Sequence, residues 1–134
     1  MVPHKRLLDS AIEECMSKFL ASVTSDSLVQ EGSKIMTDQD LRSVLVKEND
    51  KYVGILTETD LLFEVLIERK DPKTTKVSDI MTRPLITLEQ DKTLMEAIEL
   101  MRDKNIKHLV VTRKGKIVGM LSVRDLISFS MTYG

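Results

Sequence analysis

Slid against itself by 65 positions, so that Gly54 lies over Gly119, the 134-residue sequence aligns its two halves without a gap. An internal repeat of this length limits the possible folds more than any other feature, because one supersecondary unit must be built twice. Identical pairs include Met16 with Met81, Leu20 with Leu85, Asp26 with Asp91, Met36 with Met101 and Val46 with Val111. The densest run sets Val53-Gly54-Ile55-Leu56-Thr57-Glu58-Thr59-Asp60-Leu61 over Val118-Gly119-Met120-Leu121-Ser122-Val123-Arg124-Asp125-Leu126. A chain this short is expected to hold the repeated pair and no separate catalytic domain.

The second copy shows the plan of the unit. Leu85-Ile86-Thr87-Leu88 reads as a short strand. Thr93-Leu94-Met95-Glu96 is a capping box that opens a helix. Leu94, Ala97, Ile98 and Met101 recur at helical spacing and lay one apolar stripe along it. Two β-rich runs, His108-Leu109-Val110-Val111 and Lys116 to Leu121, flank Lys114-Gly115 as an antiparallel hairpin, and a last helix starts near Ser122.

Each unit therefore reads strand, helix, strand, strand, helix. The first copy repeats this with Ser27-Leu28-Val29-Gln30 as helix cap and Asn49-Asp50 at the hairpin turn. Gly32 and Ser33 thin the stripe of its first helix, through either close backbone approach or mobility. Leu7, Leu8, Ala11, Ile12 and Cys15 suggest an amphipathic leading helix. The expected division is 1–68 for the leading helix with the first repeat, 69–76 for a polar linker, and 77–134 for the second repeat. Met36, Met81, Met95, Met101 and Met120 are expected in the core or on a dimer face.

Composition removes several function classes. The net charge is -1, with no Lys/Arg run, which argues against nucleic-acid binding. No apolar stretch reaches the roughly 18 to 20 residues of a membrane span, and Met1–Arg6 lacks the apolar core of a secretion signal, so a cytoplasmic location is expected. Cys15 is the single cysteine, and His4 and His108 lie far apart, so no zinc-ligand spacing can be written.

Two units that end in Gly-x-x-(Thr/Ser)-x-x-Asp-Leu, each opened by Met-(Ser/Thr), resemble a tandem pair of CBS (cystathionine-β-synthase-type) domains over about residues 7 to 131. The resemblance implies an α/β (α+β) module of two β-α-β-β-α units with pseudo-twofold symmetry. It also implies clefts between the repeats for an adenosine-containing ligand, AMP, ADP, ATP or S-adenosylmethionine, as a regulatory ligand rather than an obligatory cofactor. Carried onto this sequence, one cleft uses Ser122, Arg124 and Asp125 with Lys107 and His108, walled by Ser17, Ala21, Leu41 and Arg42. The other uses Thr57, Thr59 and Asp60 with Arg42 and Ser43, walled by Thr82, Ile86, Ile106 and Lys107.

The motif suits a nucleoside, since an ionised Asp accepts hydrogen bonds from both ribose hydroxyls. Ser/Thr-x-x-Asp is equally a helix-capping signature, and the two roles can coexist. Glu58 beside Asp60 adds a carboxylate that repels phosphate if it points inward, so the Asp125 cleft is expected to be the better site. The family's usual Gly and Pro positions on the second strand hold Asn105 and Val110 in one copy, Asp40 and Leu45 in the other.

The leading expectation is a stand-alone sensory module that signals through conformation or oligomeric state to an effector protein. The alternative is a ligand-free interaction or scaffold module with degenerate clefts. Catalysis is not expected, because Ser122, His108 and Asp125 lack a nucleophile elbow or supporting spacing. Helix faces around Leu61, Leu62, Val65, Leu126, Ile127 and Phe129 suggest a homodimer.

Overall fold

A computed structural model describes residues 6–132; His4 and the start of the N-terminal segment lie outside the described residues. The order of elements is β1 (Ser22–Thr24), α1 (Val29–Asp38), β2 (Ser43–Glu48), β3 (Lys51–Thr57), α2 (Glu58–Leu61), β4 (Thr87–Glu89), α3 (Leu94–Lys104), β5 (His108–Arg113), β6 (Lys116–Ser122) and α4 (Val123–Thr132). Strands β1-β2-β3 form one sheet and β4-β5-β6 another. In each, a parallel pair is followed by an antiparallel hairpin, as the repeat requires. The hairpins turn through left-handed residues at Asn49-Asp50 and Lys114-Gly115; Asn, Asp and Gly tolerate positive φ, and Lys114 takes φ of 50° beside Gly115. The fold is thus the mixed α/β arrangement of two like units.

The chain condenses into two compact units whose boundaries are not those of the repeats: residues 21–85 form one, and residues 6–20 with 86–132 form the other. Spatial units and sequence repeats thus divide the chain differently. The opening segment of each repeat is taken up by the sheet of the other copy. Thr82 exchanges two backbone hydrogen bonds with Ile55, at 2.8 and 3.0 Å, and Ser17 does the same with Met120, at 2.8 and 2.9 Å. These ladders satisfy amides that a local helix or loop would otherwise have to pair.

The glycines of the repeated motif make this approach possible. A Cβ on Gly119 would lie 2.6 Å from the Ser17 carbonyl oxygen, and one on Gly54 would lie 2.8 Å from Met81 Sδ. The Met-(Ser/Thr) and Gly-x-x-(Thr/Ser) signatures are therefore two sides of one contact. Gly32 likewise admits Leu56 Cδ2, 2.8 Å from where its Cβ would be, so close packing explains the thin stripe of α1.

The leading amphipathic helix is absent. In its place stand two 3-10 turns, Leu7–Asp9 and Ile12–Glu14, separated by extended residues. The amides of Ile12 and Glu13 are drawn into hydrogen bonds with Lys92 and Gln90 carbonyls, which outcompete a helical ladder. Ile12 is fully buried with Leu94, Ala97, Met101, Leu109, Val111 and Leu121 in the core of that unit. Ser10 is buried beside it, and its Oγ has no partner among the described residues. Ser10→Ala is accordingly expected to raise the unfolding free energy by about 1 kcal/mol, because it removes an unsatisfied buried hydroxyl. A loss of stability in a urea titration would show that the hydroxyl is paired in solution.

Capping divides the two copies. Thr93 caps α3 as expected, accepting from Glu96 N–H at 3.1 Å while Glu96 Oε2 accepts from Thr93 N–H at 3.0 Å. Helix α1 has no side-chain cap: Ser27 Oγ pairs with Thr24 Oγ1 instead. Its first amides, Val29 and Gln30, donate to the carbonyls of Thr75 and Pro72 at 2.9 Å each. The segment expected to act as a plain linker thus caps the helix it follows. Helix α2 continues as a π-helix, Leu62–Ile67, where the matching α4 stays α-helical. Three of the five methionines, Met36, Met81 and Met101, are buried, Met120 is half-buried and Met95 is exposed.

Candidate functional site

The repeated Asp sits at the junction of the last strand and the last helix of each copy. In the 86–132 unit, Asp125 Oδ2 accepts from the Ser122 N–H at 2.9 Å and Ser122 Oγ accepts from the Asp125 N–H at 3.1 Å. The capping role is therefore real. Ser122 pairs in register with His108 across β5 and β6, and the Val123 N–H donates to the Lys107 carbonyl at 3.0 Å. One end of this sheet thus collects Lys107, His108, Ser122, Arg124 and Asp125, with Ser17 bonded to Met120 two residues upstream.

Cys15 Sγ donates to the Asp125 carbonyl oxygen at 3.3 Å. Burial, and then the Asp125 carboxylate, push its thiol up to about 11. A thiol raised in this way favours its protonated form at neutral pH.

The 21–85 unit repeats the junction with altered chemistry. Asp60 Oδ2 caps the Thr57 N–H at 2.9 Å, and Thr57 Oγ1 accepts from the Asp60 N–H at 3.2 Å. Here, however, the second carboxylate oxygen is also taken, because Thr82 Oγ1 donates to Asp60 Oδ1 at 2.8 Å. Asp125 Oδ1 receives no such bond among the described residues. The equivalent hydroxyl, Ser17 Oγ, instead accepts from the Phe19 N–H at 3.3 Å.

Charge separates the two junctions further. Arg42 Nη1 lies 3.4 Å from Glu58 Oε2 and 3.8 Å from Asp40 Oδ1. Matching positions in the other copy hold Lys107, Val123 and Asn105, and Arg124 replaces Thr59. By aligned positions, one junction carries Lys107, Arg124 and Asp125, and the other carries Arg42 with Asp40, Glu58 and Asp60.

Of the residues assigned to the Asp125 cleft, Ser17, Lys107, His108, Ser122, Arg124 and Asp125 fall within one compact unit, and Ala21, Leu41 and Arg42 belong to the other. Of the second set, Arg42, Ser43, Thr57, Thr59, Asp60 and Thr82 share the 21–85 unit, and Ile86, Ile106 and Lys107 do not.

Departures from the family pattern have a backbone explanation. Asn105 and Asp40, at the usual glycine positions, both take φ of 52°, a conformation these residue types accept. Val110 and Leu45, at the usual proline positions, donate their N–H groups to Ile86 and Ala21 at 3.0 and 2.9 Å, bonds a proline would lose.

One feature escapes the motif reading. A groove of about 500 Å³ in the 21–85 unit is lined by Val29, Met36, Leu61, Leu62, Val65 and Leu66, with Arg42 and Glu58 among its polar residues. Leu66 is 69% exposed, and Phe63 and Ile67 are also exposed. The signal was present in the run Leu61 to Ile67, apolar at all positions but Glu64. Of the expected helix-face residues, Leu62 and Ile127 are exposed, whereas Leu61, Val65, Leu126 and Phe129 are half-buried against their own cores.

The CBS domain family matches this chain twice, at residues 12–67 and 77–132. The chain therefore belongs to the CBS domain family, with one copy per repeat. A solved structure of an uncharacterized conserved protein from Pyrococcus horikoshii is 33% identical with a TM-score of 0.86, covering 92% of this chain and 93% of that one. An uncharacterized protein of Methanopyrus kandleri is 40% identical over 85 residues, 63% of this chain and 43% of its own length. The chain spans about half the length of the curated relatives it matches, 43 to 60% of the first three. The CBS domain pair of protein MJ0100, solved with 5′-methylthioadenosine and S-adenosyl-L-methionine, shares the fold at a TM-score of 0.79 and 22% identity, covering 91% of this chain and 96% of that one. Among the described residues, no helix is long and apolar enough to cross a membrane, and no group of three His, Cys, Asp or Glu side chains could hold a metal ion.

Proposed function

We propose that this protein is a regulatory CBS-pair module that binds an adenosine-containing ligand through the Asp125 junction. The observation that carries this reading is the contrast between the two junctions. Asp125 Oδ1 has no donor among the described residues and its junction carries Lys107 and Arg124, whereas Asp60 Oδ1 is bonded to Thr82 in a junction that also carries Asp40 and Glu58. An ionised Asp with an open oxygen accepts a ribose hydroxyl. The cationic pair and the N–H groups at the start of α4 suit a phosphate or a carboxylate. The adenosine compounds bound to the MJ0100 pair support this ligand class.

The ligand acts by binding two conformations or oligomeric states unequally, since it can bias only states it distinguishes. The exposed side chains Leu62 and Ile127 make a second copy of the chain the nearest listener, with a homodimer as the working state. An effector protein follows downstream, the compartment is the cytoplasm, and no catalytic step is assigned. The apolar run Leu61 to Ile67 and the closed Asp60 junction favour a second reading, a ligand-free interaction module.

A thermal-shift panel of AMP, ADP, ATP, NAD and S-adenosylmethionine tests the ligand reading. At about 100 times its Kd, a ligand adds about 2.7 kcal/mol to stability. For a chain of this size that is a rise of roughly 5–10 °C in Tm. No rise with any of the five would reject the adenosine reading and leave the interaction module.

A further inference from the structure

Thr82 and Ser17 occupy equivalent places, each held by two backbone hydrogen bonds to the strand that leads into the Asp motif. Their hydroxyls nonetheless do different work. Thr82 Oγ1 donates to Asp60 Oδ1 at 2.8 Å, while Ser17 Oγ accepts from Phe19 N–H at 3.3 Å.

We propose that Thr82 is a built-in competitor for the ribose at Asp60, so that the chain takes one adenosine ligand, at Asp125, rather than two. The inference rests on the adenosine reading above and adds what sets the number of working sites. A carboxylate must offer acceptor capacity to hold a sugar diol. Asp60 has committed Oδ2 to the Thr57 N–H and Oδ1 to the Thr82 hydroxyl. Each oxygen of an ionised carboxylate can accept twice, so a ligand arriving there must either share Oδ1 with the Thr82 hydroxyl, as a weaker acceptor, or displace it.

The competitor is well placed to persist. Thr82 is anchored by the Ile55 exchange, and its β-branched side chain is stiff about χ1. At Ser17 the hydroxyl is directed to the Phe19 amide, whereas the position matching Phe19 in the other copy is Pro84, which has no N–H to draw a hydroxyl at 82 away from Asp60. Loss of the Thr82 bond should improve ribose binding at Asp60 by roughly tenfold, the effect of one hydrogen bond of about 1.4 kcal/mol.

The experiment is isothermal titration calorimetry with AMP and, separately, with S-adenosylmethionine. It uses wild type, Thr82→Val, Thr82→Ser and the double variant Thr82→Val with Asp60→Asn, with each fold checked by its melting curve. Wild type and Thr82→Ser are expected to bind one equivalent per chain. Thr82→Val is expected to gain a second, weaker equivalent, and the double variant is expected to lose it again. Two equal sites in wild type, or an unchanged single site in Thr82→Val, would overturn the role of Thr82 and leave the adenosine reading standing. If neither compound binds to any of the four proteins, the Thr82 proposal falls as well; the thermal-shift panel then decides the adenosine reading itself.

Discussion

Gly119→Ala is expected to lower the unfolding free energy by about 1–3 kcal/mol, the usual penalty for forcing atoms into a closed contact. The added Cβ would stand 2.6 Å from the Ser17 carbonyl oxygen and 2.9 Å from Met16 Sδ. The methionine end can swing away. The carbonyl cannot, because Ser17 is bonded to Met120 through both its N–H and its C=O. Relief therefore requires the residue 16–17 segment to leave β6, which breaks two backbone hydrogen bonds and loosens the cover over Ile12. Gly54→Ala should be milder, since its nearest contact is the flexible Met81 Sδ at 2.8 Å and the Thr82 carbonyl lies farther off at 3.0 Å. Urea titrations of both variants would check the order. Equal, negligible losses would mean that the opening segments move freely and that the motif glycines are not there for close approach.

Asp125→Ala is expected to weaken binding of the adenosine ligand by about 10- to 100-fold, at 1.4 kcal/mol per tenfold, because one charge-assisted acceptor serves the ribose. It also removes a capping carboxylate, which should lower stability by about 1 kcal/mol. The matched variant Asp60→Ala separates the two effects. It loses its own cap and the Thr82 tether, so its stability falls at least as far, yet ligand affinity should stay within about twofold of wild type. Calorimetric titration beside melting curves distinguishes the outcomes. Equal loss of affinity in both variants would show that the two junctions bind alike and would remove the asymmetry on which the ligand assignment stands. Loss of stability in both, without any change in binding, would reduce the Asp motif to a helix cap.

The two junctions also show how far the site could be read from residue types. Gly, hydroxyl and Asp were legible because their spacing is local and occurs twice, and the Thr93 capping box was legible for the same reason. Glu58 was recognised as unfavourable, but its pairing with Arg42, across 16 positions, was not. The Thr82 to Asp60 bond spans 22 positions and has no signature in either residue type. Ser27 looked as good a cap as Thr93, yet the backbone of residues 72–75 reaches the α1 amides first.

By itself, the sequence determined the doubled strand, helix and hairpin plan, both left-handed turns, the α3 cap and the family to which the chain belongs. Each of these rests on hydrogen bonds or apolar periodicity within a few residues, and the repeat states each rule twice. Tertiary structure decided that residues 6–20 fold as two 3-10 turns against the sheet of the second copy, and that 77–85 packs with the first. It also decided that one Asp accepts from a threonine 22 positions away while Oδ1 of its counterpart has no donor among the described residues. The physical reason is that backbone amides are obligatory donors whose partners can lie anywhere along the chain, and hydrophobic pattern does not say which distant carbonyl or carboxylate will satisfy them.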